Sequence, residues 1–223
     1  MNDWLPVFFL LAYGVQRAAL LVARRFIAAR GYTPKPPKIP SGTYYALLMP
    51  FFSFLAVAQI SEETTFVFML IPSIFYGFLL LFVICDLERH WLPRCFTVAF
   101  LVAGMACQGW IYPDRGWLAV IPSAALGTGL LLFRRCVNRR NHAEVFGLGD
   151  VYLIAGLAAW FSVIAVLEIA IVATGLAMLR LLVKKHRFPA RWRHQQKYRG
   201  VPFAPFLCGV AALWALFPGA LFA

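Results

Sequence analysis

Apolar runs near or above the roughly 18 residues that cross a bilayer recur along this whole chain and leave no stretch long enough for a separate soluble domain. That feature puts the chain in a membrane. It predicts an all-α, polytopic fold of about eight transmembrane helices, with residues 1–223 forming one membrane-embedded unit. Composition agrees, since 62% of the residues are hydrophobic and 13% charged, where a soluble domain averages roughly half and a quarter.

The first segment runs from about Trp4 to Ala23, with no basic residue before it and Arg24 and Arg25 directly after it. A cleaved secretory signal has the opposite polarity, so this segment reads as a retained anchor with its N-terminus outside. A basic linker at 24–42 follows, in which Pro34, Pro36, Pro37 and Pro40 forbid a regular helix. Further segments are expected at about Thr43 to Ile60, Phe66 to Cys85, Cys95 to Tyr112 and Trp117 to Phe133. The sixth starts in a glycine-rich run and ends near Trp160, the seventh spans Ser162 to Val183, and the eighth runs from Pro202 to about Phe222. The tight joint near Phe161 leaves the sixth barely long enough to span.

The formal net charge of +12 could point to nucleic acid, but the positions of the basic residues explain it better. Of the 21 Lys and Arg, all but Arg17, Arg115 and Arg180 fall in the four loops on one side of this topology. That is the asymmetry of a cytoplasmic side. The bilayer is therefore the expected partner and nucleic acid is not, with attraction to anionic lipid as a by-product. Arg17, inside the first segment, either snorkels to the inner face or pairs with Glu168. The five cysteines are scattered without a Cys-x-x-Cys pair. Buried thiols are expected from them, and no metal or cofactor.

Two carboxylates stand where chemistry could occur. Asp86 ends the third segment, and Asp150 opens the sixth within Glu144-Val145-Phe146-Gly147-Leu148-Gly149-Asp150. An ionised Asp at the edge of hydrocarbon costs several kcal/mol unless it is paired, hydrated or neutralised. Gly147 and Gly149 lack a Cβ, so the backbone can bend there and another chain can come close. Asp150 also reads as a simple helix N-cap, and Asp86 as a polar helix end beside Glu88, Arg89 and His90. If the two meet, they share a proton. One then acts as base towards water while the other, protonated, polarises a carbonyl, which suits hydrolysis of a peptide bond. Ser123 and Ser162 have no evident His partner for nucleophilic catalysis, and Glu168 is expected to pair within the bundle.

These strings carry a resemblance. Asp86-Leu87-Glu88 with Trp91-Leu92-Pro93 and Thr97 resembles the first aspartate motif of bacterial type IV prepilin peptidases. Glu144 through Asp150, followed by Leu153, resembles their Gly-x-Gly-Asp motif, and Val201-Pro202-Phe203-Ala204-Pro205-Phe206 resembles the Pro-Phe-Gly-Pro-Phe stretch that opens their last helix. The resemblance implies an aspartic endopeptidase of the bacterial inner membrane that cuts the short basic leader from prepilins or pseudopilins at the cytoplasmic face, usually just after a glycine. Asp86 and Asp150 would be its catalytic pair. Gly147 and Gly149 would shape the approach to the second, and Glu144 and Pro93 are further substrate-binding candidates.

The chain also departs from the pattern. Many members carry, between their first two helices, a cytoplasmic domain with two Cys-x-x-Cys pairs that methylates the new N-terminus with S-adenosylmethionine. Here that region is the cysteine-free linker, which predicts a peptidase alone. Tyr152 stands where a Lys is common and Ala204 where the Gly is usual, and altered substrate preference is the most that either implies. A different class stays open, a small multispanning transporter or assembly scaffold in which Asp86, Asp150 and Glu168 bind protons or ions. A peptidase needs Asp86 and Asp150 adjacent at the cytoplasmic edge, whereas a transporter wants its ionisable groups near mid-membrane.

Overall fold

The structure, a computed structural model, describes residues 5–29, 41–59, 66–89, 91–114, 120–141, 147–187, 202–217 and 220–221. Most of the proline-rich linker, His90, Arg115, Glu144, Val201 and the basic stretch after Arg187 lie outside the described residues. Within them the chain is all helical, as expected of segments that must satisfy their own backbone in lipid. The helices are α1 (Leu5–Ala29), α2 (Ser41–Ala58), α3 (Phe66–Arg89), α4 (Arg94–Ile111), α5 (Val120–Asn141), α6 (Leu148–Leu157), α7 (Val163–Arg187) and α8 (Ala204–Trp214). Five of them, α1, α3, α4, α5 and α7, contain stretches long and apolar enough to cross a membrane. The protein is a polytopic helical membrane protein.

Neighbouring contacts give the relative directions of the helices. A Cβ on Gly77 of α3 would stand 3.1 Å from Val15 of α1, and Phe26, later on α1, stacks on Trp91 just beyond α3. The two helices therefore run parallel. Along α4 and α6 and the residues that flank them, the pairs Leu92 with Gly149, Phe100 with Gly156 and Gly104 with Trp160 also ascend together. Helices α3 and α8 run opposite ways, because Asp86 meets Ala204 while Tyr76 meets Ala212. All three relations agree with segments that cross in alternation.

Where the bundle is tightest, aromatic rings and glycines interlock. Phe75, Phe78 and Phe82 of α3 surround Phe100 of α4. Trp160 stacks on Phe100 at 5.4 Å and 16°, and its indole N–H donates to the Phe100 carbonyl at 3.1 Å. Gly104 makes that approach possible, since a Cβ there would lie 2.7 Å from the Trp160 indole nitrogen and 2.8 Å from Ala159 Cβ. We expect Gly104→Ala to destabilise the protein by about 1–3 kcal/mol through overpacking. Gly175→Ala on α7 should instead be neutral or gain about 0.5–1 kcal/mol, because nothing stands within 4 Å of a Cβ there. Unfolding of the two variants in detergent would show effects of opposite sign; a shared sign would refute the packing account.

Two helices are much shorter than the expected spans. Helix α6 has ten residues and α8 eleven, each about 15 Å long at 1.5 Å per residue. A helix that stops inside an apolar bundle leaves carbonyls to be satisfied there. At the end of α8 the Tyr76 hydroxyl donates to the Ala212 carbonyl at 3.1 Å, and the Gln59 side-chain amide donates to the Ala215 carbonyl at 2.6 Å. After α6 the chain turns tightly, with Trp160 and Phe161 N–H both bonded to the Leu157 carbonyl at 2.9 Å.

Three intramembrane polar residues depart from simple packing. Helix α7 buries the stripe Ala165, Val166, Ile169, Ala173 and Ala177. Glu168 lies off that stripe and is exposed, as is Arg17 on α1, so the expected pairing of Glu168 within the bundle is not seen among the described residues. Gln16, in contrast, is wholly buried on α1, and neither atom of its amide has a hydrogen-bond partner among the described residues. Replacing an unpaired buried amide with an apolar chain of similar shape removes a desolvation penalty, so Gln16→Met should raise stability by about 1–3 kcal/mol. A drop in the unfolding midpoint would instead reveal a buried water or other partner on the amide.

Candidate active site

Asp86 lies in the last turn of α3 and is only 6% exposed. Its Oδ2 accepts the backbone N–H of Ala204 at 2.9 Å. Ala204 is the first residue of α8, where backbone donors have no partner within the helix and the positive end of the helix dipole points outwards. Pro205 follows and offers no N–H of its own, so the Ala204 amide is the one turned towards Asp86. The third sequence motif thus touches the first. Sequence reasoning missed this contact, although the signal for it was a motif with no assigned role at the start of the last helix.

Asp150 is half-buried, in the first turn of α6. Gly147, in extended conformation at φ −70° and ψ 143°, is the N-cap, and no side chain makes a capping bond. The N-cap reading of Asp150 is therefore corrected, because Asp150 sits three residues inside the helix. Its carboxylate folds back over Gly147, where a Cβ would stand 3.0 Å from Asp150 Oδ2. Gly149 has a different task. A Cβ there would lie 2.9 Å from Leu92 Cβ, so its absence lets α6 press against the segment that leaves Asp86.

These two glycine contacts and the α8 amide bring the carboxylates of Asp86 and Asp150 together closely enough to interact electrostatically, across 64 positions of sequence. Cys208, one turn beyond Ala204, is buried. Pro93, a substrate-binding candidate, is buried as the N-cap of α4, and its carbonyl accepts the N–H groups of Phe96 and Thr97 at 3.1 and 3.3 Å. Ser162 caps α7, its Oγ accepting the Ala165 N–H at 3.4 Å. Two guanidiniums lie over aromatic rings close in sequence to groups of the site. Arg94 lies 6.0 Å from the centre of the Tyr152 ring, and Arg180 lies 5.6 Å from that of Phe206. Each ring is two residues beyond a group of the site, Asp150 or Ala204.

Fold and sequence position together define a class, that of polytopic membrane proteins with carboxylates in the end turns of two helices. Within that class the family model described as the type IV leader peptidase family matches residues 73–182, a span that contains both aspartates, and the chain belongs to this family. It is a membrane peptidase. No curated protein and no solved structure matches it significantly. Helix α8 and its amide contact lie beyond the matched residues.

Proposed function

We propose that this peptidase removes the N-terminal leader of type IV prepilins or related pseudopilins at the cytoplasmic face of the bacterial inner membrane. The observation that carries the reading is the family match over residues 73–182, which contains both Asp86 and Asp150, and the two stand in the end turns of α3 and α6 near enough for the charge of one to act on the other. Both carboxylates stand within the outermost turns of α3 and α6, which favours a boundary site over a mid-membrane ion path.

With one proton shared between them, the ionised carboxylate draws a proton from water, and the water oxygen bonds to the scissile carbonyl carbon. The protonated carboxyl meanwhile gives its proton to the carbonyl oxygen. Collapse of the tetrahedral adduct breaks the C–N bond: the newly protonated carboxyl gives its proton to the leaving nitrogen, and a hydroxyl of the adduct gives its proton to the other carboxylate as the product carbonyl forms, so that one proton is again shared between the pair. Gly147 leaves room for the Asp150 carboxylate, Gly149 lets α6 close on Leu92, and the Arg94–Tyr152 pair tunes substrate preference. The cysteine-free linker fits a peptidase without methyl transfer, working as a single membrane-embedded unit.

The test is to co-express the chain, wild type or Asp150→Asn, with a prepilin from the same genome and to sequence the pilin's N-terminus. Loss of the leader with the wild type alone supports the reading. Full-length prepilin in both, across the prepilins and pseudopilins of that genome, rejects it.

A further inference from the structure

We propose that Tyr76 and Gln59 are positioning residues for this reaction, acting on Asp86 through α8 from the far end of that helix. The inference rests on the peptidase reading above. Hydrogen bonds join α8 to the rest of the bundle at two levels. At the first, Ala204 N–H meets Asp86 Oδ2. At the second, ten residues and about 15 Å back along α3, the Tyr76 hydroxyl donates to the Ala212 carbonyl and accepts from the Gln59 amide at 2.8 Å. The same amide nitrogen reaches Ala215, so the last carbonyls of α8 are latched together.

Between the two levels the buried residues of α8 are Leu207, Cys208, Val210 and Ala211, which pack without direction. Apolar contacts of this kind set the distance between helices and leave sliding along the axis weakly opposed, since lipid tails are as apolar as the side chains. Axial register therefore depends on the directional bonds. Tyr76 cannot follow a sliding helix. Its ring is wholly buried, packed against Phe75 at 5.3 Å and Phe52 at 6.2 Å. A helix is stiff along its axis, so a latch on its last carbonyls fixes where its first amide falls, and with it the aim of the Asp86 carboxylate. Misplacement of a reacting group by about 1 Å can cost about 10²-fold in rate.

The test uses the full chain purified in detergent with a prepilin substrate. Tyr76→Phe keeps the ring and deletes the hydroxyl, and Gln59→Leu deletes the amide. Each is expected to lower kcat by about 10-fold to 10²-fold with KM within about twofold of wild type. Since both act through one latch, the double variant should be no worse than the poorer single. Leu20→Ala, which opens a cavity on α1, serves as the control for general destabilisation and should keep its kcat per folded molecule. Wild-type kcat in Tyr76→Phe, or a loss matched by Leu20→Ala, overturns the inference alone. Failure of the wild-type chain to cleave any prepilin overturns the peptidase reading and this inference with it.

Discussion

Asp86→Asn and Asp150→Asn should each lower cleavage by about 10³-fold or more while the protein stays inserted and folded. The substitution is close to isosteric at both positions. An asparagine at 86 can still accept the Ala204 N–H through its amide oxygen, so α8 remains held. An asparagine at 150 still fits over Gly147. What each variant loses is a group able to take up or release a proton. Because the two carboxylates act as one unit, the double variant should be no worse than either single, in contrast to independent sites whose losses multiply. Rates of leader removal against a purified prepilin, with thermal unfolding in parallel, measure both parts. Substantial turnover in either single variant would remove that aspartate from the mechanism.

Much of the fold was legible because lipid imposes simple rules on sequence. Span length and the one-sided distribution of Lys and Arg gave the helices and an alternation that the contacts among α1, α3, α4, α6 and α8 respect. The two aspartates were visible as charges at the ends of apolar runs. The shortness of α6 and α8 was not, because apolar composition continues past Leu157 and Trp214 while the helices stop. The carbonyls at the end of α8 are taken up by polar groups from elsewhere, Gln59 and Tyr76, and neither announces its target. The Asp86 anchor was hidden for a related reason. Its donor is a backbone N–H, which every residue but proline carries, so position 204 showed only the side-chain difference between Ala and Gly. Glu168 misled because the sequence gives its depth and not the face of α7 on which it lies.

Gly147→Ala and Gly149→Ala should each lower kcat by about 10²-fold, for different physical reasons that a stability measurement separates. At Gly147 the added Cβ meets the Asp150 carboxylate at 3.0 Å, the far end of a side chain that can swing aside. The backbone angles there, φ −70° and ψ 143°, suit alanine, so the fold tolerates the change and only the carboxylate is displaced. Turnover falls while the unfolding midpoint stays near wild type. At Gly149 the Cβ meets Leu92 Cβ at 2.9 Å, an atom fixed to the backbone of the segment between α3 and α4. That atom cannot move alone, so α6 must back away and carry Asp150 from Asp86, at a cost of about 1–3 kcal/mol of overpacking. Gly149→Ala therefore loses turnover and stability together. A Gly147→Ala variant as unstable as Gly149→Ala would mean that the first glycine serves helix packing, and wild-type turnover in either would break the link drawn between that glycine and the position of Asp150.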